Sequence, residues 1–485
     1  MGGFGEDSKV DEKIDEFVHV LHAINEGVQV DNEPKWRHKF WQIFPSVCAS
    51  LLAIPFGIML GWPSTAYPYL LQEASVIPIS LSQSAMIAGF FMLGITTATP
   101  FSSKYHIGPK YGIWIGMAFF ILSWILMYHS SNVFWLLSSR YTAGLGGGYG
   151  FGQVKAYIKD MCEPKLSAVL IKQLNFYGFF GIIAAFTINI FLDFRGFSLM
   201  ALIISAIILF ITLFLPSSPK DFIRANRIDD ALILLNYLRG KKDHTQEIKN
   251  IHQGLSQKEA EFLIPIMRDR ILRNKLIKLV SMVFLQQFSG APTSLVYCQI
   301  IFSESGCPTP EYCAVIYAII FFTSNVYGAF YLSSLNKKCT LILSSLSSAA
   351  MLAIQILVLY FEVSDRWPYV SLFVMIFFIT FYCLGVGTVP STYISEWFPA
   401  KYQQGISNIF TMEFYMCALV ATKTFQVFMS SNPLYVGFFL FITADLFLLI
   451  FVMIFLENDC DTRKKYLRSN GSNFLNAKDG KPHPV

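Results

Sequence analysis

The feature that most constrains this chain is a succession of apolar runs, each about 18–25 residues long. A helix of that length crosses a hydrocarbon core. The runs fall at residues 43–62, 82–102, 111–129, 133–157, 167–191, 196–215, 276–303, 312–333, 339–361, 368–394, 405–429 and 433–456. Only 14% of the 485 residues are charged and 54% are hydrophobic. A water-soluble domain keeps roughly a quarter of its residues charged, so lipid must be the solvent for most of this surface. The reading is an all-α membrane protein of twelve transmembrane helices, divided six and six by the polar stretch 216–275.

Loop charges give an orientation. The segments near 103–110, 158–166, 216–275, 334–338 and 395–404 carry Lys104, Lys110, Lys159, Lys165, Lys337, Lys338 and Lys401, and the tails place Lys35, Arg37 and Lys39 before the first span and Arg463, Lys464 and Lys465 after the last. The alternate loops carry only Arg195 and Arg366. Excess Lys and Arg marks the cytoplasmic side. The expected segments are a cytoplasmic tail at 1–42, a six-helix half at 43–215, a cytoplasmic helical linker at 216–275, a second half at 276–456 and a cytoplasmic tail at 457–485. In the linker, "IDDALILLNYLRG" reads as an amphipathic helix that either packs under the bundle or merely connects the halves. No apolar stretch follows a basic N-terminus, so no cleaved signal peptide is expected. The plasma membrane is the expected location.

The net charge of +5 sits between apolar spans rather than in a patch, which argues against a nucleic-acid partner. The residues show no nucleophile triad, metal-ligand cluster or phosphate loop. The glycine cluster "GLGGGYGFG" lies inside a span, where close helix packing explains it. No enzyme activity, cofactor or metal is expected. The partners are a small solute and the bilayer, and the sequence leaves the oligomeric state open.

Several polar residues stand out inside the apolar runs. Gln286 and Gln287 point about 100° apart on a helix, so both can line one cavity. Their alternative role is hydrogen bonding between helices. Ser289 and Gly290 permit close approach or unwinding, and Pro292 removes a backbone donor. Arg140, early in the fourth span, is functional or structural by default, or snorkels to the interface. Glu413 and Lys423 are ten residues apart, too far for a direct pair. Cys307 and Cys313 bracket "PTPEY", a turn with two prolines that can bring them within disulfide range. Asn470-Gly-Ser472 fits a glycosylation sequon, unused on a cytoplasmic tail. A weak repeat supports the halves: "YIKDMCEPKLSA" follows the fourth span and "YISEWFPAKYQQG" the tenth.

Those junctions carry a family resemblance. From Pro45 to about Phe455 the chain resembles the sugar-porter family of the major facilitator superfamily, especially the insect facilitated trehalose-transporter group. "GWPSTAYPYL", "SRYTAGLGGGYGFGQVKAYIKDMCEPK", "PSSPKDFIRANRIDDALILLNYLRG", "LQQFSG", "PSTYISEWFP" and "ALVATKTF" carry it. The resemblance implies the major facilitator fold, two pseudo-symmetric six-helix halves rocking about a midplane site. It implies sugar contacts at Gln286 and Gln287, at Asn175 in place of a fifth-span Gln, at Gly387 in a bending tenth span, and at Tyr415 as an aromatic platform. It implies a cytoplasmic latch built on Asp160 and Glu396, with Arg140 in the associated helix motif. Several family positions are replaced. Pro292 stands for Asn, Cys383 for a polar group, Ser391 for Trp, and Phe414-Tyr415 for Asn-Trp. Ser167 and Gln403 stand for the latch arginines, and the loop after the eighth span keeps only Lys337 and Lys338. Family members driven by protons place an Asp in the first span, and this chain has none there. The expected function is facilitative sugar transport, hexose or trehalose-like, by alternating access without proton coupling. The alternatives are a degenerate homologue acting as a sensor or accessory protein, and a carrier of another small organic solute.

Overall fold

The computed structural model describes residues 35–104, 108–240, 244, 246–249, 251, 263–331, 336–363 and 366–456. Most of the N-terminal tail, the C-terminal tail and the sequon at Asn470 lie outside the described residues.

The first half is built from α1 (Lys35–Ser50), α2 (Ala53–Leu70), α3 (Leu81–Ala98), the short α4 (Phe101–Lys104), α5 (Pro109–Tyr128), α6 (Val133–Met161), α7 (Pro164–Phe191) and α8 (Phe194–Leu213). The linker contributes α9 (Pro219–Arg224), α10 (Ile228–Arg239) and α11 (Leu263–Arg268). The second half holds α12 (Arg270–Phe288), α13 (Ala291–Val296), α14 (Cys298–Glu304), α15 (Pro310–Tyr331), α16 (Lys337–Tyr360), α17 (Val370–Leu384), α18 (Val389–Trp397), α19 (Ala400–Ser431) and α20 (Leu434–Phe455).

Among the described residues, ten helices are long and apolar enough to cross a membrane. The other two expected spans are present in different form. The fourth, α6, is 29 residues long, but its glycines and its charged end dilute its hydropathy. The seventh is not one helix over 276–303. It is broken into α12, α13 and α14, first at Gly290, whose φ of 96° only glycine adopts readily, and again at Tyr297. The tenth is likewise interrupted, between Leu384 and Val389, and the first is α1 and α2 in sequence.

Helix starts follow the local sequence. Ser80 and Gln83 form a reciprocal capping box at α3, and Ser218 and Asp221 do so at α9. Asn132, Asp193, Asp269 and Asn336 cap α6, α8, α12 and α16.

Within the first half, glycines set the helix spacing. A Cβ on Gly144 would meet the Phe91 carbonyl and Gly94 of α3, and one on Gly146 the Gly116 carbonyl of α5. Gly57 of α2 similarly faces the backbone of Gly178 and Gly181 on α7. The "GLGGGYGFG" run is thus a packing surface on two sides.

The linker packs rather than merely connects. Ala231, Leu235 and Leu238 bury one face of α10. Trp41 of α1 meets the Tyr237 ring at 5.0 Å, and Gln42 Nε2 donates to the Leu238 carbonyl at 2.8 Å.

Filling the α3–α6 contact should therefore cost on the order of 1–3 kcal/mol. Gly144→Val is expected to lower the thermal midpoint of the detergent-purified protein clearly. Gly178→Ala, whose Cβ meets only the Ala53 carbonyl at 3.8 Å, should leave it nearly unchanged. Differential scanning fluorimetry checks both.

Candidate functional site

The interrupted seventh and tenth spans meet at the two glutamines. Gln286 Nε2 donates to the Gly387 carbonyl at 3.2 Å, inside the interruption of the tenth span. Its Oε1 and both amide heteroatoms of Gln287 are buried without a hydrogen-bond partner. Gln286 therefore takes the interhelical role on one atom, while Gln287 takes it on none. A buried amide left unpaired costs about 1–3 kcal/mol. Three such atoms beside a helix break are a concentrated hydrogen-bonding demand. Hydroxyl groups, which both donate and accept, satisfy it.

Tyr415 joins the halves. Its ring lies edge-on to Phe56 of α2 at 6.3 Å and meets Phe414 at 5.2 Å. Phe56 in turn packs on Phe91 and Phe151. Asn175 is exposed on α7. It precedes Phe176, which packs on Phe322 and Phe330 of α15 across the halves.

The end of the bundle away from the basic loops is sealed between halves. The Gln299 N–H donates to Ser64 Oγ at 3.1 Å. Tyr297 OH and Ser84 Oγ share a hydrogen bond at 3.1 Å, and the Tyr67 ring lies 5.8 Å from that of Tyr297. Lys423 Nζ reaches across to Ser82 Oγ at 3.0 Å and also holds Gln426 Oε1 at 2.6 Å. It does not pair with Glu413, whose Oε2 is buried without a partner. Ser64, Tyr67, Ser84, Tyr297 and Gln299 are all buried. At the basic end, Lys159 Nζ donates to Gln404 Oε1 across the halves at 3.2 Å, but Ser395, Glu396 and Lys401 are exposed. The molecule is closed at one end and looser at the other.

The latch residues are paired within their own halves. Asp160 accepts from Ser218 Oγ at 3.4 Å. It lies in the last turn of α6. Glu396 is ion-paired with Lys337. The retained lysine of that loop thus serves as a cationic partner in place of the missing arginine. Gln403, in place of another arginine, donates to the Ser395 and Phe398 carbonyls at the end of α18. Ser167 only caps back onto Pro164. The structure does not bring Asp160 and Glu396 together.

Arg140 is neither at an interface nor across the halves. It is buried inside the first half, with Nη1 donating to the Met59 carbonyl at 2.6 Å and Nε to the Ile87 carbonyl at 3.4 Å. Its guanidinium lies over the rings of Phe91 and Trp62, at 4.5 and 5.4 Å. Pro63, four residues after Met59, supplies no N–H, so the Met59 carbonyl has no intrahelical donor. Arg140 fills that vacancy one turn before Ser64 and two before Tyr67, the residues of this helix that meet the other half.

Cys307 and Cys313 are paired with each other. Cys383 accepts from Asn325 Nδ2 at 3.1 Å, away from solvent. Sequence reasoning missed Asp445 in α20, which is fully buried. The signal was available: a single acid in an otherwise apolar run of 22 residues.

The family described as "Sugar (and other) transporter" matches residues 28–461. The chain belongs to that family. It is therefore a multi-pass membrane protein and a transporter, not an enzyme. Curated relatives include the facilitated trehalose transporter Tret1 of Anopheles gambiae, 25% identical over 362 residues. That match covers 72% of this chain but only 45% of the relative, so the chain spans about half of the relative's length. The Tret1 of Polypedilum vanderplanki is 23% identical over 434 residues, 86% of this chain and 85% of that protein. Among solved structures, the inward-open xylose transporter XylE from E. coli superposes with a TM-score of 0.72 at 17% identity, covering 86% of this chain and 97% of that one. At that identity the likeness establishes the fold, two halves of six helices each.

The strut predicts a thermodynamic coupling. Arg140→Met should destabilise this transporter by about 1–3 kcal/mol by orphaning the Met59 carbonyl. Pro63→Ala restores a helical donor to that carbonyl, so the same Arg140 change should cost less in the Pro63→Ala background. A double-mutant cycle on chemical or thermal unfolding checks this. Equal costs in both backgrounds would rule the strut out.

Proposed function

We propose that this transporter carries a sugar, a hexose or a trehalose-like disaccharide, by alternating access and as a facilitator. Gln287 carries the reading: both heteroatoms of its amide are buried and unpaired at the break of the seventh span. A solute rich in hydroxyls would satisfy them, together with Gln286 Oε1, and Tyr415 offers an aromatic face on the opposing surface. The relatives' names, facilitated trehalose transporters, support the same class of solute.

In this reading the basic end is cytoplasmic, as its lysines and arginines favour, and the location is the plasma membrane. The sealed far end is then extracellular and the structure is inward-facing. Rocking would break the Ser64–Gln299, Ser84–Tyr297 and Ser82–Lys423 bonds and close the basic end, where Asp160 and Glu396 would act as the latch. The absence of an acid in the first span supports passage without a coupled proton. A second reading, a homologue that has lost transport and serves as a sensor or accessory protein, draws on Pro292 and Cys383, which replace polar family positions.

Proteoliposomes supplied externally with labelled glucose or trehalose separate these readings. Saturable uptake that is indifferent to a proton gradient is expected. Gln286→Ala/Gln287→Ala should reduce it about tenfold or more, the equivalent of one or two lost hydrogen bonds. Correctly folded protein that passes neither sugar would favour the sensor reading.

A further inference from the structure

The second half holds a buried acid that the solute reading does not use. Asp445 is completely buried near the middle of α20. Its Oδ2 accepts from Ser348 Oγ of α16 at 2.7 Å, and its Oδ1 has no hydrogen-bond partner. The hydroxyl of Ser289, the last residue before the break of the seventh span, stands beside the same carboxyl. That hydroxyl donates to the Leu285 carbonyl at 3.1 Å, beside the Ser289 N–H that bonds the same carbonyl and closes the last turn of α12. One turn before Asp445, Phe441 occupies the space a Cβ on Gly290 would take. The carboxyl therefore backs directly onto the hinge. On one side of the hinge lie Gln286 and Gln287; on the other, α13 and α14 lead to the gate residues Tyr297 and Gln299.

Among the described residues no salt bridge reaches Asp445, and the charged groups on the packed helices α12, α16 and α19 are held or placed elsewhere. Lys275 donates to the Trp397 carbonyl, and Lys337 pairs with Glu396. Lys338 caps the Met453 and Leu456 carbonyls, and Lys423 holds Ser82 and Gln426. Arg270, Arg273 and Lys278 lie three or more turns before Ser289 on α12, and Lys401 is in the first turn of α19. Glu413, the acid of α19, would repel rather than stabilise an anion. The remaining titratable neighbour is the Tyr382 hydroxyl of α17.

We propose that Asp445 is a proton-binding site whose occupancy sets the hinge of the seventh span. A bare carboxylate in this surrounding carries a large desolvation cost. With a proton on Oδ1 the network is complete. The Oδ1–H donates to Ser289 Oγ, Ser289 donates to the Leu285 carbonyl, and Ser348 donates to Oδ2. When the proton leaves to water, Oδ1 turns from donor to acceptor. Ser289 must then swing its hydroxyl off the Leu285 carbonyl and onto the carboxylate. The Leu285 carbonyl then keeps the Ser289 N–H but loses the second, side-chain tie at the break, and the sealed gate loosens. The proton binds and leaves without driving solute, so facilitation becomes pH-dependent without becoming coupled. What the switch regulates rests on the alternating-access reading; the proton itself is tested with no solute present.

Infrared spectroscopy of the protein in nanodiscs at about pH 7 should show a protonated-carboxyl C=O band that Asp445→Asn removes. In parallel, labelling of Gln299→Cys by an impermeant maleimide should rise several-fold from mildly acidic to alkaline pH, above the background of the parent protein. This substitution keeps the backbone N–H that bonds Ser64. Asp445→Asn should flatten that pH response. Ser289→Ala, which keeps the acid and removes the relay, should flatten it too and serves if the Asn variant fails to fold. A missing Asp445 band, or a pH response unchanged in the folded variants, would overturn the proposal. Loss of sugar uptake alone, with both signals intact, would count against the solute reading instead.

Discussion

Every backbone carbonyl that loses its helical donor inside a bilayer must find another, because no water is there to supply one. That constraint organises this molecule. Pro63 frees the Met59 carbonyl, and a buried arginine fills it. At the interruption of the tenth span, Ser344 Oγ donates to the Phe381 carbonyl at 2.6 Å and accepts from the Val386 N–H at 2.9 Å, while Gln286 takes the Gly387 carbonyl. Gln403 closes the end of α18, and Lys338 the end of α20. Each of these backbone groups is thus held by a polar side chain from a different helix. The breaks can persist at the depth where a solute must be held.

The same constraint divides rigid contacts from mobile ones. Inside the first half, glycine faces glycine, and α3, α5 and α6 approach backbone to backbone. Such contacts tolerate no added methyl group and resist shear. Between halves the contacts are of another kind. Aromatic edges meet at Phe56–Tyr415 and Phe179–Phe321, and isolated hydrogen bonds join Ser64 to Gln299 and Lys159 to Gln404. Each is worth about 0.5–1.5 kcal/mol, so the set can be exchanged for another of similar total. Rigid halves joined by replaceable contacts are what rocking requires.

Much of this was legible in the sequence, for a physical reason. Length and apolarity fix a spanning helix almost alone, so the spans and halves could be read directly. Ser289, Gly290, Pro292 and Gly387 marked where regularity fails. They did not reveal that the seventh span would split into three pieces, because that depends on what fills the space beside it, here Phe441. Arg140 was conspicuous, but its role was not: its partner is a carbonyl exposed by a proline on another helix, which no local pattern announces. Lys337 could be seen as retained, yet its pairing with Glu396 is a tertiary fact. Asn175 was placed by resemblance at the solute, and the structure shows it exposed on α7 without fixing that role. Asp445 was legible as a lone acid in an apolar run, but its hydroxyl partner Ser348 lies on another helix and is a tertiary fact.

The two halves end up with opposite electrostatic characters. The first buries a guanidinium, a permanent cation, and satisfies it with carbonyl dipoles and ring faces rather than with a carboxylate. Its geometry is therefore indifferent to pH, which suits an element that only fills a freed carbonyl. The second buries a carboxyl with hydroxyl neighbours and no cation. Its charge can vanish, and its hydrogen-bond direction can reverse. A fixed strut under one side of the gate and a reversible one behind the hinge on the other give the gate a single adjustable support. The adjustable support lies in the half that carries the unpaired glutamine, so any change at the hinge is felt first where the solute is held.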